Sequence, residues 1–343
     1  MDTGSTANDM LSIVRALGQE KLNYLGISYG TAIGQYFAAM HPSNIGLMML
    51  DGVIDGERWR KADIGHLLED ADNVALSFGY LCSKAGAAAC PLASPNLGAD
   101  GVSHRVTTLL KNLEQKPLAV PQRQLVVTSD LVRVVMRSQL YFPLEGFPAT
   151  AALLLAIEKR NTTSVAAVLP TPNALTGLDS WFQGDAAEPN IACSDFPDLR
   201  NWTFANASAT LQNADRISSF LGPILSKLGL QCIAWQMRPK NPFKGPLKVT
   251  RTDGKILFVS NVLDPVTPLG DARVVQPRFA NSTLLVQNTI GHTALLNMGS
   301  CVAKAAGAFF QAGVLPKEKT VCEPDQLPFV GKVTGKAQFS GKY

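Results

Sequence analysis

The feature that most constrains this chain is a Gly-x-Ser-x-Gly turn, Gly26-Ile-Ser28-Tyr-Gly30, which lies between two apolar segments. The segment before it, Leu22–Ile27, predicts a buried strand, and the segment after it, Thr31–Met40, predicts a helix of small apolar residues. A serine in a tight turn between a strand and a helix is the local arrangement of a nucleophile elbow. We expect both glycines to be required, because a Cβ at either position would strike the neighbouring strand or helix.

Helix-like and strand-like segments alternate around this turn, and the same pattern returns near residue 256. The further predicted elements are a helix at Asp9–Leu17, strands at Gly46–Asp51, Lys255–Ser260 and Ser282–Gln287, and helices at Gly270–Phe279 and Cys301–Ala312. Alternation of this kind is typical of an α/β fold, in which right-handed crossovers produce a mostly parallel sheet.

Residues 59–245 differ from both flanking regions, since they contain amphipathic segments joined by Pro- and Gly-rich loops. The predicted helical segments are Asp63–Leu81, Val102–Leu113, Leu131–Leu140, Ala149–Arg160 and Ala205–Leu228. We therefore predict three regions. Residues 1–58 form the first part of an α/β core, residues 59–245 a mainly helical insertion that we call the cap, and residues 246–343 the second part of the core with a C-terminal tail.

Composition excludes several classes of function. The 343 residues are 46% hydrophobic, which is typical of a folded globular protein, and 31 Lys and Arg against 27 Asp and Glu leave a net charge of only +4. No basic run predicts nucleic-acid binding, and no apolar segment reaches the length of a membrane helix. We find neither a metal-ligand cluster nor a nucleotide-binding loop, so we expect no cofactor and no metal.

The cysteines and potential glycosylation sites favour an oxidising compartment. Six cysteines occur, none in a Cys-x-x-Cys pair, and Asn-x-Ser/Thr sequons begin at Asn161, Asn201, Asn206 and Asn281. An even cysteine count with several sequons favours disulfides and secretion. Because the polar N-terminus lacks an apolar signal core, we expect a secreted protein whose signal segment is absent from this chain.

A serine hydroxyl needs a base to act as a nucleophile, and only four histidines are available. His41 ends a predicted helix next to a proline and is expected at the surface. His66 and His104 lie among charged residues of the cap and are expected to be solvated. His292 follows the last long predicted strand, where an α/β hydrolase places its base, so we predict that it serves Ser28.

Two aspartates are candidates for the acid that orients this histidine. Asp264, in Val262-Leu-Asp-Pro-Val-Thr-Pro268, follows the strand at 255–260, and Asp51 follows the strand at 46–51. We favour Asp264, because prolines stiffen its loop, but Asp51 stays open. Asp271 is expected to assist the N-terminus of the next helix. The backbone amide of Tyr29, at the start of the helix after the serine, is the predicted oxyanion donor.

The stretch Leu22–Gly34 resembles the elbow of the secreted tripeptidyl aminopeptidase-like α/β hydrolases. Matches to the same family occur at Met49-Leu-Asp-Gly-Val53, Ile191-Ala-Cys-Ser-Asp195, Leu263-Asp-Pro-Val-Thr-Pro268 and Gly291-His-Thr293 with the following Cys301. The resemblance implies an α/β-hydrolase fold and a serine exopeptidase that releases short peptides from free N-termini. The triad that it implies is Ser28, Asp264 and His292.

The resemblance also implies disulfides, for which we expect Cys82–Cys90, Cys193–Cys232 and Cys301–Cys322. In such enzymes an acidic residue of the cap often binds the ammonium group of the substrate. Asp195 and Glu188 are the candidates for this role, although either is also explained as a solvated acid.

The chain departs from this family before the serine turn. Members of the family carry earlier strands and a Gly-rich turn that supplies a second oxyanion donor, and residues 1–25 contain no such turn. We therefore expect a partial sheet whose first strands are missing, with an open apolar edge, in an N-terminally truncated chain. A carboxylesterase that uses the same triad and a catalytically impaired fragment are the alternative functions.

Overall fold

The computed structural model describes residues 2–169 and 184–335. Residues 336–343 of the predicted C-terminal tail therefore lie outside the described residues. The core is a parallel sheet of five strands in the order β1-β2-β5-β6-β7, and two short antiparallel pairs, β3-β4 and β8-β9, lie apart from it. The strands are β1 Leu22–Ile27, β2 Ile45–Asp51, β3 Leu118–Val120, β4 Leu125–Val127, β5 Lys255–Leu263, β6 Ser282–Ile290, β7 Val321–Cys322, β8 Gln326–Leu327 and β9 Gly331–Lys332.

Helices cover both faces of this sheet, and others form the cap between β2 and β5. The core helices are α1 Thr3–Ala16, α2 Tyr29–Met40, α13 Leu269–Val275 and α14 Ser300–Ala312. The helices between the two halves of the core are α3 Gly56–Trp59, α4 Ala71–Ala85, α5 Ala99–Gln115, α6 Ser129–Tyr141, α7 Pro143–Glu158, α8 Thr162–Val168, α9 Gly184–Asp195, α10 Phe204–Ile217, α11 Gly222–Leu225 and α12 Lys227–Gln231. The predicted region boundaries at 58 and 245 remain predictions.

The central strands β2 and β5 are buried on both faces. Leu50 and Phe258 are register partners and join the apolar cluster beneath α1, α2 and α13, whereas the next pair, Met49 and Leu257, faces α14. Successive side chains of a strand point to opposite faces, so a doubly covered strand must be apolar throughout. This requirement explains the near-continuous hydrophobic segments, and the α/β fold predicted from them is confirmed.

The outer strand β1 is less completely covered. It lies at one edge of the sheet, and its Leu25 and Ile27 side chains are 46% and 41% exposed. An edge strand with apolar side chains in solvent agrees with the expected open apolar edge.

Two long predicted helices of the cap are each divided in the structure. The segment predicted at Asp63–Leu81 forms a short 3-10 turn, Ile64–Leu68, and then α4. The segment predicted at Ala205–Leu228 ends its first helix at Ile217, because Asp72 accepts hydrogen bonds from the backbone N–H groups of Ser219 and Phe220 just beyond it. A carboxylate of one helix thus ends another that is distant in sequence, which periodicity alone does not predict.

The cap has its own apolar core, which continues into the sheet. Phe78 and Phe147 pack edge to face at its centre, with ring centroids 5.3 Å apart. The same cluster includes Leu263 and Ile290, the last residues of β5 and β6. The cap therefore rests directly on the carboxyl ends of these two strands.

All three expected disulfides are present. Cys82–Cys90 lies within the cap, Cys193–Cys232 joins the end of α9 to the residue after α12, and Cys301–Cys322 joins α14 to β7. The predicted pairing is thus confirmed, and it fits an oxidising compartment. Within the described ranges, no helix has both the length and the apolar character needed to cross a bilayer.

We predict that the Cys193–Cys232 bridge contributes more to stability than the Cys82–Cys90 bridge. The bridged residues are 39 apart in the first case and 8 apart in the second, and a longer closed loop removes more entropy from the unfolded chain. Replacing both cysteines by alanine should cost about 4 kcal/mol for the long loop and about 2.5 kcal/mol for the short one. Denaturant unfolding of the two double variants would measure this, and equal losses would contradict the prediction.

Candidate active site

Ser28 occupies a strained position between β1 and α2. Its φ and ψ of 57° and −121° lie in a region that side-chain-bearing residues seldom adopt. Three hydrogen bonds hold this conformation. The Ser28 amide donates to the Asp51 carbonyl (2.9 Å), and the amide (2.8 Å) and hydroxyl (2.6 Å) of Thr31 both donate to the Ser28 carbonyl. Backbone strain of this kind concentrates at functional sites.

The two glycines of the turn are constrained to different degrees. A Cβ on Gly26 would lie 2.5 Å from the carbonyl oxygen of Gly30, so this position requires glycine. At Gly30 the nearest atom to an added Cβ is the Tyr24 hydroxyl, 3.2 Å away. That hydroxyl belongs to a side chain able to shift, so the predicted constraint is strong at the first glycine and weaker at the second.

The Tyr29 amide, the predicted oxyanion donor, lies at the start of α2. Tyr29 is the first residue of α2, so its N–H belongs to the first turn, whose amides have no partner within the helix. These amides and the helix dipole favour negative charge next to Ser28.

His292 and Asp264 meet at the carboxyl edge of the sheet. The Nδ1 atom of His292 lies 3.1 Å from each carboxylate oxygen of Asp264, which is fully buried. The carboxylate also accepts hydrogen bonds from the amides of Thr267 (2.8 Å) and Thr293 (2.9 Å) and from the Thr267 hydroxyl (2.6 Å). Burial favours the neutral acid, but the charge and hydrogen bond of His292 and the remaining donors outweigh it, so the pKa of Asp264 stays below its usual value.

The second acid candidate, Asp51, holds the histidine loop instead of the imidazole. Its carboxylate accepts hydrogen bonds from the amides of Ala294 (2.8 Å) and Leu295 (2.7 Å). Burial raises the pKa of Asp51 to about 6 despite these donors. The geometry therefore brings Asp264, and not Asp51, to the ring of His292.

Two residues that sequence reasoning missed also position His292. The Asn261 amide group donates to the carbonyls on both sides of the histidine, those of Gly291 and Thr293, at 2.8 Å each. The Tyr141 ring packs on the imidazole with centroids 4.6 Å apart, and its carbonyl accepts from the His292 amide at 3.2 Å. A buried asparagine inside an apolar strand was the available signal for Asn261, whereas the partner of Tyr141 is distant in sequence.

Ser28 opens into a cavity beneath the cap with a volume of about 340 Å³. Its walls are largely apolar and include Trp59 and Tyr141, while Arg137 and Glu188 bring charge to it. Mostly apolar cavities with a few polar groups are typical of sites for small ligands. Within the described residues, no hydrogen bond joins the Ser28 hydroxyl to His292, a contact that is often long in enzymes without substrate.

The two acids proposed for ammonium binding are placed differently. Glu188 lines the cavity that contains Ser28. Asp195 does not line it, because its carboxylate accepts hydrogen bonds from the Trp59 indole (2.9 Å), the Thr3 amide (2.8 Å) and the Tyr29 hydroxyl (3.3 Å). Asp195 therefore links α9 to α1 and α2, and of the two candidate acids Glu188 is the one that lines this cavity.

His66 and Asp271 correct two expectations. His66 is fully buried instead of solvated, and Asp271 turns away from its own helix to accept from the Asp55 amide at 3.1 Å. The His66 Nε2 atom lies 3.3 Å from an Asp271 oxygen, while Nδ1 contacts the Asp63 carbonyl. Burial raises the pKa of Asp271 to about 8 and lowers that of His66, so burial favours the neutral form of each group.

His41 and His104 lie away from the cavity. The ring of His41 contacts the Asn8 side chain at 3.0 Å, and His104 is exposed on α5. In the part of the chain that the structure describes, no group of His, Cys, Asp and Glu side chains has the arrangement of a metal site.

Comparison with known proteins gives two family matches in different parts of the chain. A model described as the alpha/beta hydrolase fold matches residues 1–79, which contain Ser28, and a model described as TAP-like protein matches residues 218–322, which contain Asp264 and His292. Among solved structures, a meta-cleavage product hydrolase from Pseudomonas fluorescens aligns over 92% of this chain and 73% of its own, with 12% identity and a TM-score of 0.35.

Curated relatives are similar along nearly the whole chain. A tripeptidyl aminopeptidase from Streptomyces lividans is 25% identical over 336 residues, which cover 96% of this chain and 59% of the relative. The serine protease Hip1 from Mycobacterium tuberculosis is 27% identical over 340 residues, 93% of this chain and 61% of the relative. The chain thus spans about three fifths of the length of these proteins.

The parallel sheet, the strained serine turn and the family matches show that the chain has the α/β-hydrolase fold. Among proteins with this fold it is similar to the tripeptidyl aminopeptidases, as the TAP-like model and the curated relatives both indicate.

We predict that Asp264 and Asp51 differ sharply in their effect on activity. Replacing Asp264 by Asn removes the acceptor that fixes the imidazole tautomer and should lower kcat by about 10⁴-fold. Replacing Asp51 by Asn disturbs only the loop after His292 and should cost at most about 10²-fold, the effect of a slightly misplaced group. Steady-state kinetics of both variants, with circular dichroism to confirm folding, would test this. A larger loss in D51N would reverse the assignment.

The His66–Asp271 pair predicts a pH-dependent stability. Because the pKa of Asp271 is about 8 in the folded protein and about 4 in an unfolded chain, the folded state binds its proton more tightly. The contribution of Asp271 to the free energy of unfolding should then decrease as pH rises from about 4 to about 8, by up to about 1.4 kcal/mol per pH unit. The lowered pKa of His66 has the opposite effect below about pH 6.5, so the decrease should be clearest from about 6.5 to 8.

Asp271→Asn keeps a neutral group at this position and should remove that slope. Urea unfolding of both proteins at several pH values across the window would measure it, and parallel pH profiles would contradict the assignment of the proton to Asp271.

Proposed function

We propose that this chain is a serine peptidase of the tripeptidyl aminopeptidase type, with Ser28, His292 and Asp264 as its triad. The observation that carries the proposal is the contact of His292 Nδ1 with both oxygens of buried Asp264, at the sheet edge where strained Ser28 faces the cavity. Since Nδ1 of His292 is hydrogen-bonded to Asp264, Nε2 is the ring nitrogen that can accept the proton of the Ser28 hydroxyl. The relatives named as peptidases support the same reaction class.

Acylation follows from these positions. Ser28 Oγ forms a bond to the scissile carbonyl carbon while His292 Nε2 takes the hydroxyl proton, and Asp264 stabilises the imidazolium that results. The oxygen of the tetrahedral intermediate becomes negative beside the amide of Tyr29 at the start of α2. The C–N bond then breaks as Nε2 returns the proton to the leaving amine.

Deacylation repeats the same steps with water. His292 takes a proton from a water molecule, the resulting hydroxide adds to the acyl carbon, and the proton returns to Ser28 Oγ as the peptide acid leaves. These steps need only the side chains of the triad and one water molecule.

In this proposal, Glu188 is the residue that makes the enzyme prefer peptides with a free N-terminus. It lines the cavity from α9, and its carboxylate would bind the ammonium group of a short peptide whose scissile carbonyl lies at Ser28. The apolar walls, which include Trp59 and Ile191, would hold the intervening side chains. Because the cap roofs this space, long or blocked N-terminal segments would fit poorly.

The disulfides support the proposal that this enzyme is secreted and works outside the cell. Bridges such as these persist in oxidising compartments, and one of them ties α9, which carries Glu188, to the rest of the cap. The sequons at Asn161, Asn201, Asn206 and Asn281 have exposed asparagines, as glycosylation of a secreted protein would require.

We predict that the chain cleaves peptidyl amides with a free N-terminus and discriminates against acetylated ones. Loss of a hydrogen bond to a charged group should lower kcat/KM for the acetylated substrate by about 10- to 100-fold. Glu188→Gln should remove most of that difference, while Ser28→Ala should abolish turnover of both substrates. Fluorogenic tripeptide amides with and without an acetyl group provide the measurement.

Three outcomes would count against this proposal, each against a different part of it. Equal turnover of free and acetylated peptides would remove the exopeptidase function. Turnover of short acyl esters alone would indicate a carboxylesterase with the same triad. Failure of a fluorophosphonate probe to label Ser28 in the wild-type chain would indicate an impaired catalytic site.

A further inference from the structure

Arg137 brings a positive charge into the cavity that contains Ser28. It lies on α6, one turn before Tyr141, and its guanidinium carbon is 5.9 Å from the centroid of the Tyr141 ring. A terminal nitrogen also donates to the Tyr141 hydroxyl at 3.5 Å. Since the Tyr141 ring packs on His292, the guanidinium lies along one wall of the cavity, close to the reacting centre.

The charge of Arg137 is not neutralised within the described residues. No carboxylate there forms a salt bridge with it, and its Nε atom is buried without a hydrogen-bond partner. Two other arginines differ in this respect, since Arg278 forms a salt bridge with Asp55 at 2.7 Å and Arg105 forms one with Glu158. A buried donor left unpaired costs free energy, which a ligand that satisfies it would recover.

A carboxylate is the group that this site suits. The planar guanidinium presents several N–H donors in a fixed geometry that matches two carboxylate oxygens, and an apolar wall strengthens such a contact. Glu188 lines the same cavity without a salt bridge to Arg137 in the described residues, so the space contains one charge of each sign. A short peptide that bears both an ammonium and a carboxylate group complements this pair.

We propose that Arg137 binds a carboxylate of the peptide substrate and thereby determines specificity. This inference rests on the proposed peptidase function, because it takes the substrate to be a peptide. The binding of a carboxylate at Arg137 can nevertheless be measured without turnover. The carboxylate has two sources, an acidic side chain of the substrate or the terminal carboxylate of the released peptide. Their chemistry at Arg137 is the same.

The kinetic test compares matched peptides that differ only in charge. Free-N-terminal tripeptide amides with Glu at each position in turn are compared with their Gln counterparts. If the source is a side chain, one Glu substrate should exceed its Gln counterpart by about 10- to 100-fold in kcat/KM. Arg137→Gln should remove that ratio, and Arg137→Lys should keep part of it.

Arg133→Gln is the matched control. Arg133 lies one turn earlier on the same helix and donates to the Ser219 carbonyl at 3.1 Å, away from the cavity. This variant should leave the Glu-to-Gln ratio unchanged. If the source is the terminal carboxylate, the Glu and Gln substrates should be equal, but free tripeptide acids should inhibit more strongly than tripeptide amides, and Arg137→Gln should remove that difference.

Equilibrium binding separates failure of this inference from failure of the proposed function. In the Ser28→Ala chain, calorimetry with the same tripeptide acids, amides and Glu/Gln pairs reports the carboxylate site even if the wild type cleaves no peptide. Absence of any carboxylate preference that depends on Arg137 would overturn the inference. An equal loss of turnover for Glu and Gln substrates in R137Q, with unchanged inhibition ratios, would do the same and would assign Arg137 only to the support of Tyr141.

Discussion

The buried carboxylate of Asp264 is the contact on which the arrangement of this site depends. It accepts hydrogen bonds from the loop after β5, through Thr267, and from the loop after β6, through His292 and Thr293. An unpaired buried carboxylate would be costly, so these donors must stay in place while the acid is ionised. The same bonds that stabilise the charge therefore fix the imidazole relative to the sheet.

Further buried polar groups extend this control to the rest of the histidine loop. Asn261 holds the carbonyls on both sides of His292, and Gln287 donates to Asn261 at 3.0 Å. Asp51, at the end of β2, holds the amides that follow. Because these side chains extend from neighbouring parallel strands, the rigidity of the sheet is transmitted to a loop whose own regular structure is a short 3-10 turn, Leu295–Asn297.

Local patterns in the sequence predicted much of this fold and part of the site. Strands with apolar side chains on both faces, and polar residues directly after them, indicated the positions of Ser28, Asp264 and His292. Interactions between distant segments were not predictable in this way. In the sequence, Arg137 resembles any other arginine of an amphipathic helix. His66 was wrongly expected in solvent, because the residue it packs against, Asp271, is more than two hundred residues later in the chain. A third example is the end of α10, where Asp72 of α4 accepts hydrogen bonds from the amides just beyond the helix.

The contact between Tyr141 and His292 has a consequence for how a substrate reaches the serine. Tyr141 ends one cap helix, yet its carbonyl and its ring both touch the residue that would transfer protons. A cap that hinged open at this corner would release the imidazole from both contacts. Opening the cap at the junction of α6 and α7 would therefore disturb His292, so any ligand that reaches Ser28 would enter past a different part of the cap.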